Sequence, residues 1–213
     1  MTVTLPTPPP RIARLPRNKV GYPVPWFVAW IDGQPDFRVV GIGKLDDAVR
    51  FRQCWLCGQA LGANAAFVIG PMCAVNRVSA EPPSHRDCAI YAATACPFLT
   101  NPGMRRRGNN LPDEAADPDG IMIDRNPGVA LVWISRTWRV RTDYRLFDVG
   151  DPTETRWYAE GREATRSEVL ASITSGLPLL RAEAEKDRRP AAALAELDRQ
   201  YTRALALVPG GAR

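Results

Sequence analysis

Cys54-Trp55-Leu56-Cys57-Gly58 and His85-Arg86-Asp87-Cys88 decide how the middle of this 213-residue chain folds. Together they spell C-x2-C-x27-H-x2-C, three thiols and one imidazole in two pairs of equal internal spacing. Two thiolates three positions apart can face one cation if the chain turns tightly, and a glycine after the second eases that turn. Four such donors close a tetrahedral site and leave no position for the water that a catalytic ion keeps. The competing reading, reduced cysteines buried as small hydrophobes, gives no reason for the two matched pairs.

The segment between the pairs fits the same plan. Ala66–Gly70 and Met72–Arg77 are predicted as two short strands joined at Gly70-Pro71. Ser84 with Asp87 three residues on predicts a helix N-cap, which places His85 and Cys88 in a first helical turn and on one face. Knuckle, hairpin, then a helix whose first turn carries the second pair: residues 54–96 resemble the treble-clef family of zinc fingers. That resemblance implies a structural Zn²⁺ held by Cys54, Cys57, His85 and Cys88. Cys73 and Cys96 read as core thiols. Cys96 lies about 12 Å along the helix axis from Cys88, too far for the same ion. Cys73, in the predicted hairpin, is the substitute donor.

Working outward, residues 1–25 hold seven prolines and four cations (Arg11, Arg14, Arg17, Lys19) without an acid. Such a segment lacks the amides that helices and sheets need, so it reads as an extended arm, either a strap on the surface or a basic contact for an acidic partner. Trp26–Ile31 and Phe37–Ile42 flank the turn-forming Asp32–Asp36 and predict a β-hairpin; Leu45–Gln53 predicts a short helix. After an irregular loop over 97–128, strand-like runs appear at Val129–Ser135, Trp138–Arg141, Tyr144–Val149 and Arg156–Tyr158. Thr165-Arg166-Ser167-Glu168 is a capping-box pattern, with Gly176 as the expected stop, a second helix over Pro178–Arg188 and a third over Ala191–Val208. The fold class is therefore α+β: an antiparallel sheet from 26–42 and 129–158, the finger inserted between them, and helices over 159–213.

Composition narrows the function. No apolar run approaches the ~20 residues that span a bilayer, and prolines from Pro6 onward interrupt any secretory core, so an intracellular, cytoplasmic protein is expected. All five cysteines fall within residues 54–96, which suits a metal in a reducing compartment better than a disulfide framework. His85 is the lone histidine, which excludes a two-histidine metal site. Zinc deaminases carry His-x-Glu first and Pro-Cys-x-x-Cys later, the reverse of the order here. A treble-clef nuclease of the His-Asn-His type needs a histidine in its hairpin, and this hairpin has none.

The charge of +5 comes from 28 basic residues, 25 of them arginine, against 23 acids. It permits nucleic-acid binding without requiring it. Arg105-Arg106-Arg107 read either as a phosphate contact or as partners of nearby acids, and Trp55 either as a base-stacking platform or as a cover on the metal's apolar side. Asp113, Glu114, Asp117, Asp119 and Asp124 form either a solvated turn or a divalent-ion site. The expectation is a non-enzymatic, zinc-containing binding or adaptor protein with nucleic acid as the leading ligand class. The alternatives are a divalent-metal enzyme acting on phosphodiesters through the 113–124 carboxylates, and a protein–protein module. The stretch Gly70–Cys88 also gives the chain a resemblance to proteins of bacteriophages and bacterial mobile elements, which implies an accessory role in the host cytoplasm.

Overall fold

The computed structural model describes residues 5–105, 125–141 and 146–210. In chain order a single-turn helix α1 (Pro10–Ala13) precedes a hairpin, β1 (Val28–Ile31) and β2 (Gln34–Val40), and then α2 (Lys44–Arg50). Next come β3 (Ala65–Ile69), α3 (Pro71–Asn76), β4 (Val78–Ser79), α4 (Arg86–Ala95) and α5 (Pro97–Thr100). Strands β5 (Ala130–Ser135), β6 (Trp138–Val140), β7 (Phe147–Val149), β8 (Pro152–Ala159) and β9 (Arg162–Glu163) lead into two long helices, α6 (Arg166–Ala184) and α7 (Pro190–Leu205). Among the described residues all the strand pairs are antiparallel, and the class is α+β with helices at the C-terminal end.

The central sheet runs β3-β5-β8-β9, with a smaller β4-β7-β6 sheet beside it. Every residue of β5 is buried, as its continuous apolar run requires of a strand covered on both faces. Its alternate side chains serve two cores. Leu131 and Trp133 join Phe67, Trp157 and the inner faces of α6 and α7 (Val169, Ile173, Leu197) on one side. Val132 and Ile134 meet Ala89 and Ala93 of α4 on the other. Leu197, Tyr201 and Leu205 of α7, with Val208 just beyond its end, face the core.

Several local expectations change. The β1–β2 hairpin forms a two-stranded sheet of its own instead of joining residues 129–158. Its place beside β5 goes to β3, whose Ala65-Ala66-Phe67-Val68-Ile69 is apolar on both faces and so needs cover on both, whereas the hairpin leaves Trp30, Phe37 and Val40 exposed. The hairpin turn is also tighter than five residues: Asp32 and Gly33 alone make it, both at positive φ.

Met72–Arg77 is helical rather than a strand. Gly70 is extended, Pro71 takes the first helical position where a missing N–H is harmless, and Arg77 closes α3 in the left-handed region at φ 56°. The hairpin expected over 66–77 therefore does not form, and Ala66 bridges Ser84 instead. Gly176 does not stop a helix, because α6 continues through it and through Pro178. A Cβ at Gly176 would lie 2.7 Å from Met72 Cγ, so the missing side chain lets α6 approach α3. The arm is not wholly extended either, since Pro10 starts the α1 turn, whose Ile12 is buried.

The capping box at Thr165 is present: its hydroxyl accepts the Glu168 N–H while the Glu168 carboxylate accepts the Thr165 N–H at 2.7 Å. Among the described residues no helix is long and apolar enough to cross a membrane.

Candidate metal centre

Cys54 and Cys57 sit on a tight turn. The Gly58 N–H donates to the Cys54 carbonyl and the Cys54 N–H to the Gln59 carbonyl, both at 2.8 Å, and Gln53 bridges Ala60 across the base. Gly58 closes the turn at φ +73°, and the Trp26 indole lies so close that a Cβ there would fall 2.5 Å from its ring. Glycine is required twice over, for its conformation and for the indole's approach. Two backbone hydrogen bonds tether the turn: Trp55 N–H to the Pro83 carbonyl and Trp26 N–H to the Leu56 carbonyl.

The second pair arrives by a different cap from the one predicted. Ser84 is held in the bridge to Ala66, so His85 takes the N-cap position of α4 with extended backbone (φ −66°, ψ 151°). Cys88 is then the third helical residue, and Asp87 accepts the Cys88 N–H through its carboxylate at 3.0 Å.

These two pairs bring four donor atoms, the Sγ of Cys54, Cys57 and Cys88 and a ring nitrogen of His85, within 4.8 Å of one another. His85 Nδ1 is 3.4 Å from Cys57 Sγ and 4.0 Å from Cys88 Sγ. A tetrahedron with metal–sulfur bonds of about 2.3 Å has edges of about 3.8 Å, the scale of this cluster. The opposite ring nitrogen, Nε2, is 3.0 Å from the Ala60 carbonyl oxygen. It donates there, which leaves the Nδ1 lone pair facing the sulfurs. Cys54 Sγ accepts backbone N–H groups from His85 (3.3 Å) and Cys57 (3.4 Å).

Side-chain hydrogen bonds from Cys57 and Cys88 hold the Cys54 thiol well below the usual thiol range, and the two backbone donors add to the effect. The Cys57 and Cys88 thiols are pushed up, mainly because they share protons with Cys54. Three sulfurs this close cannot all ionise unaided, and a divalent cation between them removes the repulsion. With Cys54 and Cys88 at 0% exposure, Cys57 at 8% and His85 at 9%, the cluster could hold a metal ion in a closed site away from solvent.

Sequence reasoning did not foresee the wall of this centre. Ile12 of the arm and Tyr91 and Ala95 of α4 are buried in one apolar cluster with Cys54, Cys57 and Cys88, and Leu5 and Leu15 pack against it. Ala60 was also missed. It acts through a backbone carbonyl that any residue would supply, so no signal in its identity could have found it.

The other candidates stand apart. Cys73 lies on α3 against the main core, and burial raises its thiol; Cys96 caps the end of α4, and burial raises its thiol too. Trp55 is 3% exposed and lies parallel to Phe27, 3° between planes with centroids 4.7 Å apart, so that face of the indole is already covered. Arg105 is exposed and bridges Arg125. Arg106, Arg107 and the carboxylates Asp113, Glu114, Asp117, Asp119 and Asp124 lie outside the described residues.

No protein-family model matches this chain, and neither a curated protein nor a solved structure matches it. The side chains themselves therefore carry the functional reading.

Proposed function

We propose that this chain is a zinc-stabilised binding or adaptor protein, and that its metal is structural. The observation that supports this is the buried, complete set of three thiols and one oriented imidazole. Soft sulfur donors with one nitrogen in a tetrahedral array suit Zn²⁺, and a full ligand set leaves no place for a reactive water. Such an ion contributes about 10–16 kcal/mol in small zinc folds, against a typical domain stability of about 5–15 kcal/mol. Here it would tie the 54–60 turn to α4 and to the arm. Three thiolates on one ion persist where thiols stay reduced, which favours the cytoplasm.

Nucleic acid is the proposed ligand class, on the strength of the +5 charge, the exposed Arg105 at the head of the arginine run and the acid-free arm. A mobility-shift assay with DNA and RNA at low salt tests it: a shift that weakens steeply with added salt is expected, and no shift with either polymer removes that class. One observation favours a protein partner as the second reading. Trp30, Phe37, Val40, Ile42 and Phe51 on the hairpin and beside it are exposed. Capture of a protein that survives nuclease treatment would decide for that reading.

A further inference from the structure

Alpha4 faces two ways. Ala89 and Ala93, one turn apart, pack on the central sheet with Val132 and Ile134, while Cys88, Tyr91 and Ala95 on the opposite face enter the cysteine cluster. The sheet and its larger core, built on Trp133, Phe67 and Leu131, lie on the far side from that cluster. Loss of the ion would therefore disturb one face of α4 and leave the other seated.

The front of the arm meets the vulnerable face. Ile12 is 4% exposed within the cysteine cluster, and Leu5 and Leu15 pack beside it. The backbone hydrogen bonds of residues 9–24 are internal to the arm, such as Val24 N–H to the Pro16 carbonyl and Asn18 N–H to the Tyr22 carbonyl. Among the described residues none links residues 5–24 to the rest of the chain. One ion pair crosses, Arg11 Nη1 to Asp87 Oδ2 at 3.2 Å, and both partners are solvent-exposed, so it holds little. Apolar burial against the wall of the metal centre holds the front of the arm, around Ile12, while Pro23 and Val24, buried outside that cluster, anchor its other end.

We propose that the N-terminal arm is a metal-gated latch, docked on the loaded centre and released when the ion leaves. This rests on the zinc reading above. The ion holds Cys54, Cys57 and Cys88 in the packing that receives Ile12; without it only weak thiol hydrogen bonds keep the three sulfurs together, and the seat for Ile12 loosens. Release takes Arg11 off Asp87 and frees a strap carrying Arg11, Arg14, Arg17 and Lys19 with no acid. Metal occupancy thereby governs whether the arm can reach an acidic partner.

The test is limited trypsin digestion of the full chain, zinc-loaded or treated with a chelator, with cleavage at Arg11, Arg14, Arg17 and Lys19 read by mass spectrometry. Hydrogen exchange of the β5 amides is followed in parallel. Arm cleavage at least ten-fold faster after chelation, with β5 exchange unchanged, is the expected result. Ile12→Ser should give the fast cleavage even with zinc bound, with its metal content unaltered. Equal cleavage with and without zinc, or protection that survives Ile12→Ser, overturns the latch. So does β5 exchange that rises in step with arm cleavage, because the arm would then report only general unfolding. Absence of bound zinc from the purified chain, by contrast, fails the zinc reading itself, and the latch with it.

Discussion

His85 donates from Nε2 to the carbonyl oxygen of Ala60 at 3.0 Å, and this one hydrogen bond decides which ring nitrogen faces the three cysteine sulfurs. The acceptor belongs to the same turn that carries Cys54 and Cys57, so the two halves of the centre orient each other. Removing the imidazole should cost more than losing an orienting group alone, which typically weakens metal binding by about 10–100-fold. His85→Ala is expected to bind zinc at least about 100-fold more weakly in competition with a chromophoric chelator. Cys73→Ser, remote from the cluster, should bind as the parent does.

Metal affinity should rise with pH, and the sign follows from the thiols. Sharing protons with Cys54 pushes the Cys57 thiol up to about 11, and the Cys88 thiol is raised by the same kind of contact. Both thiols therefore hold their protons in the metal-free chain near neutral pH, while the Cys54 thiol is shifted the other way. Zinc binding must then displace thiol protons, so affinity should increase from pH 7 to pH 8. Titrations at those two pH values, with the released protons measured by calorimetry in buffers of different ionisation enthalpy, check this.

Gly58→Ala should damage the turn before it touches a ligand. The substitution asks an alanine to hold φ +73° and drives its Cβ into the Trp26 indole. Left-handed strain and overpacking of a rigid ring together should destabilise the chain by about 2–4 kcal/mol. Urea melts of the zinc-loaded protein measure it. Trp26→Ala in the same chain should recover the overpacking part and leave the strain.

The start of α6 should weaken at acid pH. Arg162 beside Glu168, helped by the Thr165 N–H and hydroxyl, holds the Glu168 carboxyl at about 2 against an ordinary 4.5. A carboxyl lowered by folding stabilises the fold fully above its ordinary value, and that contribution fades as pH falls from about 4.5 towards 2. Glu168→Gln should flatten this part of the stability profile, measured by urea melts from pH 5 to 2.5. Thr165→Ala, which loses the cap oxygen, should cost about 1 kcal/mol at neutral pH.

The two Cys/His pairs, the capping box, the hairpin and the central strand could all be read from the sequence, because each is encoded by residues close together in the chain. Met72–Arg77 could not: a six-residue segment with four apolar residues has no period long enough to separate strand from helix, and only Pro71 at the first helical position hinted at the outcome. Gly176 misled because glycine serves both as a stop and as a gap, and what fills the gap is Met72, 104 residues away. The partner of β5 and the seat of Ile12 are long-range choices, made by which surfaces need cover, and no local pattern records them.

X-ray absorption at the zinc edge, on protein purified without added metal and paired with elemental analysis, tests the central claim most directly. One zinc per chain, with three sulfurs at about 2.3 Å and one nitrogen at about 2.0–2.1 Å, is the predicted result. A fully folded chain without zinc, or an ion bound mainly by oxygen, would contradict it.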